Sequence, residues 1–183
     1  MNSSIYQIKI TLKDSKPLIW RRFLVFSDIS LYKLHKAIQI IMGWEDYHLH
    51  HFEVGRNFYG IPDPDFDDGT INGKGILLKD IVPKIPSQFL YEYDFGDSWD
   101  HIILVEKVMN SELKMKHPIC IDGKRACPPE DVGGIWGYQH FLKVLGNPKH
   151  KEYRDLKEWI GGKFNPEHFN KELVNEILKK IKY

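Results

Sequence analysis

The sequence predicts an α+β fold: a mixed, mainly antiparallel sheet, ordered strand–strand–helix–strand and then a second hairpin, with a helical C-terminal third. Three observations support this prediction. Polar and apolar residues alternate over 6–12 and 89–95, which is the period of a half-buried strand. An apolar stripe of helical period follows Ser30. Beyond residue 134, three segments of helical period are separated by Gly or by Asn-Pro pairs.

The first strand pairs with its neighbour along the chain. Residues 14–17, Asp-Ser-Lys-Pro, supply turn chemistry between strand 6–12 and an apolar stretch at 18–26, so a hairpin is expected. Ser30 is a good N-cap for a helix that runs to about Met42, because its hydroxyl can accept a backbone N–H of the first turn. Gly43 then ends the helix, since it adopts the left-handed conformation at little cost.

The middle of the chain predicts a return to the sheet. Residues 48–54 are extended, and 57–75, rich in Gly, Asp and Pro, predict a long exposed loop. A short apolar piece at 77–82 predicts one helical turn. Residues 89–95 and 99–108 form the second hairpin, around the turn Gly96-Asp97-Ser98.

The last third has a different character. Residues 117–134 are dense in Pro, Gly and Cys and predict a loop. Helices are expected at about 135–145, from Asn147-Pro148 to Gly161, and from Asn165-Pro166 onwards. We expect a single α+β domain over 1–183, within which residues from about 117 to 183 could form a helical subdomain.

Composition excludes several classes of protein. Lys and Arg number 26 against 25 Asp and Glu, a net charge of +1, which argues against a dominant nucleic-acid or membrane surface. There is no apolar run of about 18 residues, so no membrane partner is expected. The N-terminal residues lack the pattern of a secretory signal, and the 2 Cys do not make a disulfide framework. We expect a cytoplasmic protein.

The densest group of reactive side chains surrounds the second hairpin turn. Asp94, Asp97 and His101 are candidate catalytic residues, and Trp99 beside them is a candidate binding residue. Cross-strand neighbours lie about 5 Å apart, so an Asp–His pair or a small metal site is possible there. The alternative is structural, because Asp and Gly build tight turns by binding backbone N–H groups.

Two further groups carry possible metal ligands. His48 and His50 would share a face of a strand and could bind zinc with a third ligand such as Asp97 or His101. Cys120 and Cys127 could bind zinc together with a nearby His, but they lack the close C-x-x-C spacing of a zinc knuckle. The alternatives are hydrogen-bonded His residues and two buried thiols. A divalent metal such as zinc is therefore a candidate cofactor.

Candidate binding residues lie at two other places. Gly133 and Gly134 precede a predicted helix, where exposed N–H groups can hold an anion or simply form a turn. Arg21 and Arg22 lie between Trp20 and Phe23, a pattern found where proteins bind single-stranded nucleic acid. Arg stems also pack on aromatic rings for structural reasons, and the neutral overall charge favours that reading.

Together these stretches resemble one family, the plasmid pRiA4b ORF-3-like proteins, over roughly residues 4 to 170. The order and spacing of the motifs carry the resemblance, and the motifs are Ile19-Trp20-Arg21-Arg22, Leu34-His35, Met42-Gly43-Trp44, His48-Leu49-His50 with Phe52, Tyr93-Asp94-Phe95-Gly96-Asp97 with Trp99 and His101, Cys120 through Gly134, and Trp159 with Phe164 to Phe169.

The resemblance implies an α+β fold of this size but no settled biochemical activity, and it offers no catalytic residues to transfer. Some similar proteins carry a resolvase-like label from insertion elements. A serine recombinase needs a nucleophilic Ser among clustered Arg residues and a separate helix-turn-helix, and the sequence has neither. Three hypotheses follow: a non-catalytic module that binds protein or nucleic acid, connected with plasmids or mobile elements; a metal-dependent hydrolase that uses the His48/His50 and Asp94/Asp97/His101 groups; and a structural or regulatory partner of another chain.

Overall fold

A computed structural model describes residues 4–63, 65, 69–109 and 115–182. The strands are β1 (Ile5–Leu12), β2 (Trp20–Phe26), β3 (His50–Val54), β4 (Asn57–Gly60), β5 (Ile71–Asn72), β6 (Ser87–Tyr93), β7 (Trp99–Met109) and β8 (Ile119–Lys124). The α-helices are α1 (Leu31–Met42), α2 (Leu78–Ile81), α3 (Gly134–Leu145), α4 (Tyr153–Trp159) and α5 (Lys171–Leu178).

All eight strands belong to one sheet, in the order β5-β4-β3-β6-β7-β1-β2-β8. Among the strand pairs of the described residues, only β4–β5 is parallel. The two predicted hairpins join where β1 pairs with β7, which places the apolar β7 at the centre of the sheet, between β6 and β1. The predicted class, a mainly antiparallel α+β fold with its helices mostly in the C-terminal part, is confirmed.

Helix α1 begins and ends as its sequence predicts. The Ser30 hydroxyl accepts the N–H of Lys33 at 3.3 Å, and Gly43 ends the helix with φ +97°. The apolar stripe of α1, including Leu34 and Ile38, packs into the same core as the inner face of β1. Burial of this stripe fixes the helix on the sheet, because each fully buried Leu or Ile contributes about 1.5–3 kcal/mol.

Two predicted loops contain strands. Within 57–75 the chain forms β4, β5 and a 3-10 turn at Gly73–Gly75, while residues 64 and 66–68 lie outside the described residues. Gly60 permits the close pairing of β4 with β3, since a Cβ there would lie 2.6 Å from the His50 carbonyl oxygen. Within 117–134, β8 pairs with β2 at the opposite edge of the sheet. These three strands are held by backbone pairing and lack a strong side-chain pattern.

Two predicted helix starts are also wrong. At Asn147-Pro148 and Asn165-Pro166, each Asn side chain accepts the N–H two residues further on, at 3.1 and 3.0 Å. These bonds form isolated turns, so the helices begin later. Helix α4 starts at Tyr153, and α5 is capped by Asn170, which accepts the N–H of Leu173 at 2.9 Å. Within the described ranges, no helix is long and apolar enough to cross a membrane.

Candidate metal centre

Three segments meet at one end of the β3–β6 pair. In this antiparallel pair His50 is opposite Tyr93, so the residues just before β3 lie beside those just after β6. His48 precedes β3 and Asp94 follows β6. A third segment, between β8 and α3, brings Asp131 to the same place, where its carboxylate contacts His48.

Tyr93 connects these segments from within the core. Its side chain is fully buried, and its hydroxyl donates to Glu130 Oε1 at 2.5 Å. The same hydroxyl accepts the backbone N–H groups of Tyr47 and His48, at 3.1 and 3.4 Å. Burial, with the Glu130 carboxylate adding to it, raises the pKa of Tyr93 far above its usual value, so the hydroxyl remains a donor. Tyr93 therefore holds the segment that carries His48 against the segment that carries Asp131.

Trp44 fixes the same third segment from the end of α1. Its indole N–H donates to the Pro128 carbonyl at 3.1 Å, and its ring stacks on Tyr93 with centroids 5.0 Å apart. An indole held by both a hydrogen bond and stacking is a rigid support.

The imidazole of His48 faces two carboxylates. Its Nε2 lies 3.3 Å from Asp131 Oδ1 and 3.7 Å from Asp94 Oδ2, and the three ligand atoms all lie within 4.8 Å of one another. His48 Nε2 is buried, yet it makes no hydrogen bond of good geometry to any described group. Metal–ligand bonds of about 2.0–2.2 Å in a tetrahedron place ligand atoms about 3.4 Å apart, close to both distances. Among the described residues, this is the one such group of three His, Cys, Asp or Glu ligands.

Asp94 is held so that one oxygen points to His48. Its backbone has φ +58°, and its Oδ1 accepts the N–H groups of Gly96 and Asp97, at 2.9 and 3.4 Å. These bonds leave Oδ2 facing His48. Asp94 is 7% exposed, whereas the Asp131 side chain is 71% exposed. The group therefore has one buried carboxylate and one side open to solvent.

The family model described as plasmid pRiA4b ORF-3-like protein matches residues 4–173. The chain belongs to this family. A relative described as uncharacterised protein y4hQ, from Sinorhizobium fredii (strain NBRC 101917 / NGR234), is 36% identical over 162 residues, which cover 88% of this chain and 83% of that protein. A crystal structure of MM3350, a protein of unknown function from Methanosarcina mazei Go1, is similar with a TM-score of 0.85 and 38% identity, covering 94% of this chain and 98% of that one.

In this pRiA4b ORF-3-like protein, the Asp97 side chain binds the N-terminus of helix α3. Its Oδ2 accepts the N–H of Gly133 at 3.1 Å, so a protein carboxylate occupies the helix N-terminus at which Gly133 and Gly134 were candidates either to bind an anion or to form a turn. Gly134 has φ +65°, and a Cβ there would lie 2.4 Å from the Asp97 carbonyl oxygen. The two glycines therefore permit the turn and this close contact.

His101 and Trp99 lie in the core of the same hairpin. His101 is fully buried, burial lowers its pKa to about 4, and its ring meets Trp44 edge-on at 5.3 Å. Trp99 is 1% exposed and borders a cleft of about 350 Å³ next to Asp97. The structure does not bring His101 into contact with the carboxylates of Asp94 and Asp97.

The other predicted metal ligands lie elsewhere in the fold. His50 is 6% exposed and stacks on His35, with ring centroids 3.4 Å apart. Cys120 and Cys127 are free thiols. Burial raises the pKa of Cys120 to about 11 and that of Cys127 further, which opposes the thiolate form that binds metals. None of these three residues joins the group around His48.

Arg21 and Arg22 point in opposite directions and make different contacts. Arg21 is 1% exposed and donates to the carbonyls of Ile41, Trp20 and Lys124 at 2.7–3.1 Å. Arg22 makes two hydrogen bonds of 2.8 Å to Glu106. Both guanidinium groups are thus committed to partners within the protein.

Sequence reasoning identified His48 and Asp94 but did not assign Asp131 as a ligand. The Glu130-Asp131 pair after Pro128-Pro129 was the available signal. Nothing local in the sequence indicates that this segment folds back onto Tyr93.

Proposed function

We propose that this protein binds a divalent transition metal through His48, Asp94 and Asp131 and that it catalyses a hydrolytic reaction there. One observation carries the proposal: two carboxylate oxygens flank a buried imidazole nitrogen that makes no well-formed hydrogen bond. A buried polar atom is normally hydrogen-bonded, and a metal ion at the common centre would satisfy all three groups.

The donor set supports zinc or manganese. Ca²⁺ and Mg²⁺ prefer oxygen ligands alone, whereas an imidazole nitrogen suits zinc and other transition metals. Three protein ligands leave a coordination position open, as in catalytic sites, and the exposed Asp131 lies on the side from which a substrate could approach. A metal held by these three residues would supply a nucleophile for hydrolysis, because such metals lower the pKa of coordinated water towards about 7.

The surrounding hydrogen bonds also support the proposal. Outer-shell partners orient metal ligands, and losing one typically costs about 10–100-fold in metal affinity. Tyr93 has this position here, since its hydroxyl contacts the backbone of His48 and the side chain of Glu130, next to Asp131.

A non-catalytic binding module is the second candidate. Trp136 in the first turn of α3 is 78% exposed and borders the 350 Å³ cleft, which favours a protein partner. Nucleic acid has less support as the partner of such a module, because Arg21 and Arg22 already have partners within the protein. For either candidate the proposed location is the cytoplasm, which agrees with two free thiols.

Metal titration tests the first candidate. Protein stripped with a chelator is titrated with zinc chloride and with manganese chloride in a calorimeter. We expect one equivalent to bind, and we expect His48→Gln and Asp94→Asn each to weaken binding at least as much as the loss of an outer-shell group, about 10–100-fold.

Two matched variants serve as controls. His51→Gln changes an imidazole that lies beside Glu92, and Asp100→Asn changes a carboxylate that pairs with Lys13. Both should bind metal as the unchanged protein does. Absence of stoichiometric binding, or equal losses in the controls, would refute the metal centre. A metal-loaded protein that hydrolyses neither p-nitrophenyl acetate nor bis-p-nitrophenyl phosphate would favour the binding module.

A further inference from the structure

A second cavity lies between the start of α1, the β3–β4 pair and the 3-10 turn at Gly73–Gly75. Its volume is about 240 Å³, and apolar groups such as Leu31, Phe52 and Tyr59 form most of its wall. An engineered apolar cavity of about 150 Å³ holds benzene, so this one has room for a single substituted ring. Ile61, at the cavity edge, is 59% exposed, which indicates that the cavity opens to solvent there.

His50 is the polar group in this wall that is both buried and uncommitted. Only 6% of the residue is exposed, and its ring makes no hydrogen bond to any other described residue. Aromatic contacts hold the ring in place: it stacks on His35 with an interplanar angle of 3° and meets Phe52 edge-on at 6.1 Å. A neutral imidazole has one donor and one acceptor nitrogen, so His50 can pair with a polar group inside the cavity.

His35 cannot satisfy His50, because its own nitrogens are occupied. The Asp46 carboxylate lies 2.7 Å from His35 Nε2, and a carboxylate only accepts, so Nε2 carries the proton. His35 Nδ1 then accepts from the Tyr91 hydroxyl at 2.9 Å, and that hydroxyl accepts from Gln39 at 2.9 Å. This chain fixes the tautomer and the plane of His35. His50 is therefore held by stacking while its hydrogen-bonding capacity remains free.

We propose that this cavity binds a small, uncharged aromatic molecule whose single polar group forms a hydrogen bond with His50. The apolar wall disfavours a charged ligand, because burying an unpaired charge costs far more than burying a ring. A free imidazole nitrogen at the wall of the cavity can accept the proton of a ligand hydroxyl. None of the three residues of the metal centre lines the cavity, so this inference does not depend on the proposed function.

A matched pair of probes tests the proposal. p-Cresol and toluene have the same ring and methyl group, and only p-cresol has a hydroxyl. Binding to the full chain is measured by ligand-observed NMR titration in the presence of a chelator. We expect saturable binding of both probes at one site, with p-cresol bound about three- to tenfold more tightly, the usual net effect of one hydrogen bond.

Three variants decide whether the binding is at this cavity. His50→Phe keeps a stacking ring and should remove the preference for p-cresol while toluene still binds. Ile61→Trp, at the exposed edge, should weaken both probes without touching the core. His51→Phe changes the neighbouring imidazole, which does not line the cavity, and should change neither. The proposal is overturned if neither probe saturates, or if p-cresol is still preferred after His50→Phe.

Discussion

Acidification should destabilise this protein well above the pH at which carboxylates titrate. His35, His50 and His101 are all buried as neutral imidazoles, and burial lowers their pKa values to about 4, about 3 and about 4. In the unfolded chain an imidazole takes up its proton near about pH 6.5. Between about pH 6.5 and about pH 4 the unfolded state therefore binds more protons than the folded state, and stability falls as the pH falls.

The size of the effect follows from these values. For one imidazole with a folded pKa of about 4, lowering the pH from about 8 to about 5 costs about 2 kcal/mol. Three imidazoles give about 6 kcal/mol as an upper bound, because His35 and His50 stack and their titrations are coupled. That is comparable with the whole free energy of unfolding of a typical domain, about 5–15 kcal/mol.

Urea unfolding at a series of pH values tests this prediction, with circular dichroism as the probe and a chelator present throughout. Each extra proton on the unfolded state should give a slope of about 1.4 kcal/mol per pH unit. His50→Phe should reduce the slope between about pH 5 and about pH 6, whereas His168→Gln, which changes an exposed side chain, should leave it unchanged.

A free energy of unfolding that stays constant across this interval would show that the imidazoles are not buried in the neutral form. The carboxylate of Asp46 does not account for a loss of stability in this pH interval. Although burial alone would raise its pKa, hydrogen bonds from Lys36 and His35 lower it, so its contribution is lost only as the pH falls below the interval.

Three further predictions concern single side chains. Tyr93→Phe should weaken zinc binding about 10–100-fold in calorimetry, because it removes the hydroxyl that joins the segments of His48 and Asp131. Arg21→Met should lower the free energy of urea unfolding by about 3 kcal/mol, since it leaves buried carbonyls without donors. Gly137→Ala should cost about 1–3 kcal/mol in the same assay, because its Cβ would lie 2.0 Å from the Val132 carbonyl oxygen, whereas Gly75→Ala meets nothing within 4 Å.

The parts of the fold that the sequence predicted are those with strong local patterns. The alternation in β1 and the capped stripe of α1 can be read from neighbouring residues alone. Strands β5 and β8 could not be predicted in this way, because they lie at the two edges of the sheet and are held mainly by backbone pairing with β4 and β2. The helix starts predicted at the two Asn-Pro pairs were wrong for a related reason. An Asn side chain can close an isolated turn as well as begin a helix.

The candidate site was predictable where the sheet itself creates it. The hydrolase hypothesis required the groups of His48 and Asp94 to meet, and the structure brings these two residues together at one end of β3 and β6. Asp131 was not predictable, since its position depends on contacts of Trp44 and Tyr93 with a segment distant in sequence. These contacts arise from the tertiary fold and leave no spacing pattern in the sequence.

The separation of His48 from His50 provides the sharpest distinction between the two proposed sites. Strand alternation had suggested that both would bind one metal, but β3 begins only at His50, and His48 lies in the bend before it. His48 therefore faces Asp94 and Asp131, while His50 stacks on His35 at the wall of the cavity. It follows that His48→Gln should weaken metal binding and preserve the preference for p-cresol. His50→Phe should preserve metal binding and remove that preference. If each variant impaired both metal binding and the preference for p-cresol, His48 and His50 would belong to a single site. The separate roles inferred from the geometry would then be wrong.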